Sequence, residues 1–339
     1  MRVAAILHPY AKDKLLEPFR APGMNLFRGN ELEANDLPQV AIVFGGDGSV
    51  HRVIQALAGS ETPLLVVPTG SGNDFAAAIG IHSYGEAVSV WRKFVEGQAH
   101  IREIDLGVIK PLQAHSSSAG GQDPEWVDGR LTFAREDGTF EKAAQPLAPA
   151  ITRAELHHLY DSIPTEEYFC CIAGAGLDAE ANKRANRMPA WLRRRGGYVV
   201  SALRALAAHQ SIKVTVADGG HRQTNSAEAR FISENALLVA FANAPAYGNG
   251  MRMAPRALLD DGLLDVCYVG HLSKWKVLRL FHTIFSGTHL RFPEVKYFST
   301  DSVRLFTESP LEIYGDGEYI CRTPVEISVR PRSLRVLVP

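Results

Sequence analysis

The sequence predicts an α/β domain followed by a second domain that is mainly β. The chain has 339 residues, a length typical of two domains. Its N-terminal third alternates short apolar runs with helical patterns, as in a parallel sheet covered by helices. After residue 109 helical patterns become scarce and strand patterns multiply, which favours a β sandwich or a barrel.

Three apolar runs in the first part predict buried parallel strands, namely RVAAIL at 2–7, VAIVF at 40–44 and LLVVP at 64–68. A helix that Gly59 ends is predicted after the second run, from apolar residues at helical spacing: Val50, Val53, Ile54 and Leu57. Another helix is predicted over 83–97, where Ser83 and Glu86 form a capping box. Its predicted core face consists of Ala87, Val90, Trp91, Phe94 and Val95.

The second part follows a predicted strand, REIDLGVI at 102–109. Residues 111–165 indicate a surface insertion, because they include stretches rich in Ser, Gly, Pro and Gln. Further strands are predicted at 168–174, 211–217, 236–243, 263–270, 311–314, 325–330 and 334–339. Helices are predicted within 180–208 and around 274–287. In the latter, sandwich packing is favoured over membrane contact for its apolar residues Val277, Leu278, Phe281, Ile284 and Phe285. We therefore expect domains at 1–105 and 106–339, with the last strand a candidate to return to the first domain.

Composition limits the partners and the compartment. The net charge of −1 gives no overall field that would favour nucleic acid, so we expect no nucleic-acid partner. The four cysteines show neither metal-ligand spacing nor a disulfide pattern, which is typical of buried residues in a reducing compartment. Neither a signal peptide nor a membrane span is predicted. We therefore expect a cytoplasmic protein whose contact with a membrane surface, if any, is made by a local patch.

Three glycines and a carboxylate separate the second strand from its helix, in the order Gly45, Gly46, Asp47 and Gly48, followed by Ser49. Glycines at such a turn let another group approach the backbone, and N–H groups at the start of a helix favour an anion such as phosphate. Asp47 could hold Mg²⁺, accept a proton, or cap the helix in a tight turn. The motif lacks the lysine of a Walker loop and the glycine spacing of dinucleotide folds.

The third strand is followed by a second loop of this kind, TGSGND at 69–74, and then by a short helix that contains Phe75. Because neighbouring parallel strands end at the same edge of a sheet, we expect the two loops to face one crevice. Together they indicate a phosphate site more strongly than either loop alone.

These motifs carry a family resemblance. GGDGS followed by PTGSGNDFA resembles the catalytic domain of the diacylglycerol kinase and sphingosine kinase family, most closely its compact bacterial lipid kinases. Further landmarks follow in the order of the family: IDLG at 104–107, GAGLDA at 174–179, ANAPAYGNGMRMAPRALLDDGLLDV at 242–266 and DGE at 316–318. The resemblance implies an ATP-binding α/β domain similar to those of phosphofructokinases and NAD kinases, followed by a β sandwich that carries the lipid site.

The resemblance also implies roles for individual residues. Nucleotide contacts fall on three loops, with Gly45, Gly46, Asp47, Gly48 and Ser49 in the first, Gly70, Ser71, Gly72 and Asn73 in the second, and His8 and Pro9 in the third. DGE alone is only a hairpin signal, but in the family it supplies the proton acceptor, which makes Glu318 the expected base with Asp316 beside it. Asp47 would position Mg²⁺ on the ATP phosphates, although the roles of Asp47 and Asp316 are exchangeable on this evidence.

A structural Mg²⁺ site is implied in the acidic turn before the strand LLDVCYV. Its ligands would be the Asp261 carboxylate and the carbonyl oxygens of Leu258 and Leu263, and oxygen ligands suit this hard ion. The alternative is an acidic turn with no ion.

A basic segment offers a contact with a membrane that holds the lipid substrate. Its cations are Lys183, Arg184, Arg187, Arg193, Arg194 and Arg195. Cations with a tryptophan favour an anionic surface, but a solvated helix face explains the same pattern equally well. A homodimer also remains open.

Two features depart from the family pattern. The first strand ends in HPYAKD, where His8 replaces the usual asparagine and no glycine follows. Only about thirty residues separate this loop from the next strand, fewer than a full helix–strand–helix excursion takes. We therefore expect an abbreviated nucleotide domain with weakened affinity for ATP.

The sequence favours an ATP-dependent lipid kinase with ATP and Mg²⁺ as cofactors, acting in phospholipid metabolism on a diacylglycerol- or sphingoid-like hydroxyl. One alternative is a kinase of a soluble substrate, as NAD kinases are. Another is a catalytically degenerate relative that only binds lipid, for which the altered HPYA loop is the best support.

Overall fold

A computed structural model describes residues 1–7, 13–29, 32–33, 36–112, 125–127, 130–134, 140–142, 166–186, 201, 204–206, 212–219, 231–248 and 250–339. Within them, the first domain is built on four parallel strands: β1 (Arg2–Leu7), β2 (Asn25–Gly29), β3 (Val40–Gly45) and β4 (Leu64–Pro68). Their order in the sheet is β4-β3-β1-β2, with every neighbouring pair parallel. The predicted α/β domain is confirmed.

Three α-helices accompany this sheet: α1 (Asp47–Leu57), α2 (Asp74–Ala78) and α3 (Tyr84–Val95). The predicted core face of α1 is buried, and Gly59 follows the helix with φ of 75°. Ser83 caps α3 by accepting the N–H of Glu86 at 3.2 Å. The prediction was wrong for Val95, which is 43% exposed because it lies in the last turn of α3.

The connection from β1 to β3 is short, as the sequence indicated. It contains a 3-10 helix (Asp13–Phe19) and the edge strand β2, which the sequence analysis did not predict. The fully buried Phe19 ring fixes this segment, since it packs edge-on against Phe44 with the ring centroids 5.0 Å apart. His8 and Pro9 lie outside the described residues.

The second domain is mainly β. Its strands in the main sheet are β5 (His100–Pro111), β9 (Glu167–Phe169), β10 (Ile172–Gly176), β11 (Ile212–Asp218), β12 (Phe231–Ala242), β13 (Leu264–Gly270), β14 (Val295–Thr300), β15 (Ser302–Thr307), β16 (Glu312–Gly315), β17 (Glu318–Arg322) and β18 (Val325–Val338). Their inward side chains, among them Phe241, Tyr268 and Ile327, form a core separate from that of the first domain. All four cysteines are buried and unbridged, as predicted.

The described parts of the insertion form a small antiparallel sheet of three strands, β6 (Glu125–Val127), β7 (Arg130–Ala134) and β8 (Phe140–Lys142). The other described helices are α4 (Leu177–Asn186), α5 (Lys274–Leu280) and α6 (Thr283–Ser286), followed by a 3-10 helix (Thr288–Arg291). Val277 of α5 is buried, but the prediction of sandwich packing was wrong for Leu278 and Phe285, which are 49% and 41% exposed. Among the described residues, no helix combines the length and the apolar character that crossing a membrane requires.

Strand β18 joins the two domains. The sequence indicated two strands, 325–330 and 334–339, but the structure has one strand whose register against β5 shifts between Arg330 and Leu334. On one side of the shift β18 pairs with β15 of the sandwich, and on the other Val336 lies opposite Leu64 of β4. The main sheet therefore runs from the sandwich into the first domain without interruption.

Asp105 on β5 fixes the register shift. Its side chain is buried and accepts the backbone N–H of Arg332 at 2.7 Å and that of Gly262 at 2.7 Å. Arg332 has φ of 47°, a left-handed conformation that needs such support. One carboxylate thus connects β5, β18 and the turn before β13.

Replacing Asp105 with Ala is expected to destabilise the protein by about 2–4 kcal/mol, because two buried N–H groups lose their acceptor. Asp260→Ala is the matched control in the same region, since Asp260 is an exposed residue paired with Arg102, and its loss is expected to cost at most about 1 kcal/mol. Urea denaturation of both variants measures the difference, and equal losses would contradict this role of Asp105.

Candidate active site

The two glycine loops touch each other. Thr69 donates its N–H to the carbonyl of Gly45 at 3.1 Å, and Asp47 donates its N–H to the carbonyl of Gly72 at 3.2 Å. A Cβ on Gly46 would lie 2.2 Å from the Gly72 carbonyl oxygen, and one on Gly70 would lie 2.3 Å from the Gly46 Cα. Glycine is therefore required at these positions for the loops to contact each other. The sequence had suggested a different reason, namely that glycines let a ligand approach the backbone.

Side chains within the loops hold their shape. Asn73 accepts the N–H of Gly70 at 3.1 Å and donates to the carbonyl of the same residue at 3.3 Å, so it braces the second loop. Ser49 lies over Gly45, where an added Cβ would meet the Ser49 hydroxyl oxygen at 2.4 Å. Gly45, Gly48, Ser49 and Ser71 all lie at this shared edge, as the prediction of one crevice requires.

Asp47 caps a helix other than its own. It begins α1, but its carboxylate accepts the N–H of Phe75 at 3.0 Å and that of Asp74 at 3.2 Å, at the start of α2. Burial, with a contribution from the charge of Asp74, raises the pKa of Asp47 to about 7. The site thus holds a carboxylate whose surroundings oppose its negative charge.

The raised pKa of Asp47 predicts a pH dependence of stability. Since the folded protein binds this proton more tightly than the unfolded chain, the free energy of unfolding should fall as pH rises from about 4 to about 7. Asp47→Asn removes this titratable group. At pH 8 the free energy of unfolding of the variant should therefore exceed that of the unsubstituted protein by roughly 2 kcal/mol.

Thermal unfolding in EDTA without nucleotide, measured at several pH values, tests this. The exposed Asp260→Asn serves as control and should follow the unsubstituted protein. A parallel pH profile for Asp47→Asn would contradict the prediction.

Asp316 lies inside the protein. Its side chain has no exposed surface, and its oxygens accept the N–H groups of Cys170 at 2.7 Å, Cys171 at 2.8 Å and Ile172 at 3.3 Å. Burial opposes its charge, but the nearby His51 ring and these N–H groups outweigh burial and hold the pKa of Asp316 below its ordinary value. Asp316 itself has a left-handed backbone conformation, with φ of 51°, and this conformation shapes the turn before Glu318.

The sequence analysis overlooked His51. Its Nδ1 lies 3.5 Å from the Asp316 carboxylate, and burial, which lowers the pKa of His51, is outweighed by the carboxylates of Asp316, Glu167 and Glu318, so the pKa is raised. His51 lies one helical turn after Asp47 on α1, so the two side chains share a face of the helix. This spacing was the sequence signal that could have identified His51 as a site residue. The imidazole links α1 of the first domain to the Asp316 turn of the second.

Replacing Asp316 with Ala should lower the free energy of unfolding by about 3–5 kcal/mol, because three backbone N–H groups and the His51 ring lose their partner. Glu318→Gln is the control two residues away, and it should leave stability within about 0.5 kcal/mol, since Glu318 is exposed. Denaturant titration compares the two, and a stable Asp316→Ala protein would contradict the structural role.

Glu318 reaches the glycine loops across the cleft. It begins β17 in the second domain, yet a Cβ on Gly48 would lie 2.5 Å from Glu318 Oε1. Gly48 therefore leaves the space that this carboxylate occupies. The exposed Glu318 carboxylate and the two loops form one site, whereas Asp316 supports it from within.

An apolar cavity of about 110 Å³ lies in the second domain. Its polar lining includes Asp178, which accepts a hydrogen bond from the Tyr247 hydroxyl and another from Asn182 at 3.3 Å. Asn182 in turn lies against the DGE turn, since a Cβ on Gly317 would be 3.9 Å from Asn182 Oδ1. The cavity is thus connected through two side chains to the turn that carries Glu318.

The three residues of the predicted metal site share one turn. Asp261 accepts the N–H of Leu263 at 3.0 Å, and Leu258 is exposed a few residues earlier. Burial raises the pKa of Asp261, and the carboxylates of Asp265 and Asp105 add to the effect. Neighbouring carboxylates of this kind supply the oxygen ligands that a hard divalent cation prefers.

The predicted basic segment is only partly described. Lys183 pairs with Glu312 at 2.8 Å, and Arg184 pairs with Glu180 at 3.5 Å. Arg187, Arg193, Arg194 and Arg195 lie outside the described residues. The two cations that the structure places are therefore already opposite carboxylates.

The whole chain superposes on the solved structures of two kinases, which shows a shared fold. A diacylglycerol kinase from Bacillus anthracis superposes with a TM-score of 0.60 at 16% identity, covering 100% of this chain and 97% of the other. Yeast NADH kinase superposes with a TM-score of 0.52 at 9% identity, covering 100% of this chain and 83% of the other.

Sequence comparison gives the family. The diacylglycerol kinase catalytic domain matches residues 23–109, and the YegS C-terminal NAD kinase beta sandwich-like domain matches residues 171–338. A diacylglycerol kinase of Mycobacterium tuberculosis is 29% identical over 299 residues, which are 88% of this chain and 76% of that protein. The chain belongs to the family of diacylglycerol kinases and YegS-like lipid kinases. Membership implies a phosphotransferase that uses ATP.

Proposed function

We propose that this protein transfers the γ-phosphoryl group of ATP to the hydroxyl of a lipid of the diacylglycerol or sphingoid kind. The observation that carries the proposal is the position of Glu318. Its carboxylate comes from the β domain and lies in the space left by Gly48, at the edge where both glycine loops end. In this position Glu318 would act as a proton acceptor beside a turn suited to phosphate.

The loops of the first domain would hold the triphosphate. The starts of α1 and α2 meet at this edge, and the Ser49 and Ser71 hydroxyls are additional donors for phosphate oxygens. Mg²⁺ would neutralise charge on the phosphates when bound. The raised pKa of Asp47 fits this arrangement, because a cation nearby relieves the cost of its buried negative charge.

Glu318 would remove the proton of the acceptor hydroxyl, and Asp316 would act as a positioning residue. The hydrogen bonds from Cys170, Cys171 and Ile172 fix the Asp316 turn, and this turn sets the direction of β17. The structure thus favours separate roles for Asp47 and Asp316, which the sequence left exchangeable. Most of the catalysis would come from positioning and charge stabilisation.

The apolar cavity would hold an acyl chain of the acceptor. Its lining is almost entirely hydrocarbon, and the Asp178–Tyr247 pair offers hydrogen bonds to a polar group at one side. Asn182 connects that pair with the Asp316–Glu318 turn, which supports a pose in which the polar end of the lipid would face the base. The cavity favours a lipid acceptor over a soluble one such as NAD.

The structural Mg²⁺ would be held by Asp261 with the carbonyl oxygens of Leu258 and Leu263. Its proposed task is to hold the turn that precedes β13. Asp105 already fixes the same turn through Gly262, so the ion would reinforce a connection between this turn and β18.

Replacing Glu318 with Gln should lower turnover roughly 10²–10⁴-fold, because the proton acceptor is lost, while binding of ATP with Mg²⁺ is retained. Transfer of labelled phosphate to dioctanoylglycerol and to sphingosine measures turnover, and the thermal shift produced by ATP with Mg²⁺ measures binding. The exposed Glu308→Gln in the same domain is the matched control and should keep full activity.

The same assay separates the alternatives. Phosphorylation of NAD without any lipid product would favour a kinase of a soluble substrate. A protein that binds lipid but transfers no phosphate to any lipid class would be a degenerate relative. Undiminished turnover in Glu318→Gln would overturn the assignment of the base.

A further inference from the structure

One face of α1 is turned toward the second domain. Asp47, His51 and Gln55 follow one another at intervals of four residues, so their side chains lie along the same side of the helix. Asp47 lies at the glycine loops and His51 lies beside Asp316, as described above. Gln55 is the third residue of this face, and it contacts the second domain as well.

The Gln55 amide makes three hydrogen bonds. Its Oε1 accepts the backbone N–H of Tyr168 at 2.9 Å, and its Nε2 donates to the carbonyl of the same residue at 2.8 Å. Nε2 also donates to the carbonyl of His51 at 2.9 Å, one turn earlier on α1. The Gln55 side chain is therefore bound to its own helix and to β9 at the same time.

Strand β9 needs a partner of this kind at Tyr168. Among the described strands β9 pairs only with β5, where Tyr168 lies opposite Val108. The N–H and carbonyl groups on the open side of such a strand require other hydrogen-bond partners. Because a primary amide presents a donor and an acceptor together, Gln55 takes the place of a neighbouring strand at this position.

Strand β9 is held firmly within the second domain. Phe169 is fully buried in the sandwich core, and a Cβ on Gly107 of β5 would lie 2.0 Å from its ring. A Cβ on Gly315, the residue before Asp316, would lie 3.3 Å from the Cβ of Phe169. The contact of Gln55 with β9 is therefore a contact between the two domains.

The same strand leads directly to the acidic turn. Cys170 follows β9, and its backbone N–H donates to Asp316 at 2.7 Å. Asp316 shapes the turn before Glu318, and Glu318 lies against Gly48 of α1. Gln55, β9, the Asp316 turn and Glu318 thus form a closed series of contacts that begins and ends on α1.

We propose that Gln55 is a positioning residue for phosphoryl transfer. By fixing β9 against α1, its amide sets the distance between Glu318 and the first glycine loop, and so between the base and the phosphates that the loop would bind. Gln55 lies about 12 Å along the helix from Asp47, so it acts through Glu318 and not on the phosphates themselves. The inference rests on the proposed function and deepens it.

Gln55→Met tests the proposal, because methionine has a similar length and no amide. Turnover of the lipid acceptor should fall roughly tenfold or more, while the KM for ATP and the thermal shift produced by ATP with Mg²⁺ stay the same, since the glycine loops keep their mutual contacts. Arg52→Met places the same residue on the exposed side of α1 and should keep full turnover. Full turnover in Gln55→Met, or a loss of ATP binding as large as the loss of turnover, would overturn the proposal.

A double variant shows whether Gln55 acts through Glu318. In Gln55→Met/Glu318→Gln the base is already absent, so turnover should differ by less than about twofold from that of Glu318→Gln alone. If Gln55 only supported the fold, the double variant would lose the full factor that Gln55→Met loses by itself. That result would contradict a positioning role.

Amide hydrogen exchange tests the contact independently of activity. The amides of Tyr168 and Cys170 should exchange roughly tenfold faster in Gln55→Met than in Arg52→Met. Faster exchange in a protein that phosphorylates no lipid would support the connection from Gln55 to the acidic turn and contradict the kinase. Unchanged exchange in a protein that does phosphorylate lipid would support the kinase and overturn the role of Gln55.

Discussion

The contact between the two glycine loops is the constraint on which the rest of the site depends. The loops approach so closely that a single Cβ at position 46 would overlap a carbonyl oxygen of the other loop. The Asp47 carboxylate then joins the first loop to the start of α2, although burial opposes its charge. Side chains at these glycine positions would separate the loops, and the crevice between α1 and α2 would lose its shape.

The acidic turn shows how the second domain completes that crevice. Asp316 and Glu318 are two residues apart, but one is enclosed by backbone donors and the other faces the cleft. The enclosed charge fixes the backbone, and the exposed charge of Glu318 lies beside Gly48 of the first glycine loop. His51 reinforces the arrangement from the first domain, since its ring lies beside the enclosed carboxylate. The position of Glu318 therefore depends on both domains at once.

The sequence predicted what short-range patterns encode. The alternation of apolar runs gave the parallel strands, the Ser83 capping box gave α3, and glycines after two strands gave a common edge. What it could not predict depends on contacts between residues far apart along the chain. The partners of Asp316 are about 145 positions away, and nothing near DGE distinguishes an enclosed carboxylate from an exposed one. Likewise, the local patterns predicted two strands, at 325–330 and 334–339. The structure has one strand with a register shift, and the shift is held by Asp105, which lies 227 positions from its partner Arg332.

Strand β18 has a consequence for the order in which the protein can be completed during synthesis. Its last residues lie beside β4, and the carbonyl of Ser333 accepts the N–H of Gly59 at 2.7 Å. During synthesis the first domain leaves the ribosome before residues 333–338 have been translated. The β4 edge of its sheet is therefore still uncovered at that stage. The nucleotide-binding half thus acquires its final strand only after the sandwich has been translated, which ties the maturation of the two halves together.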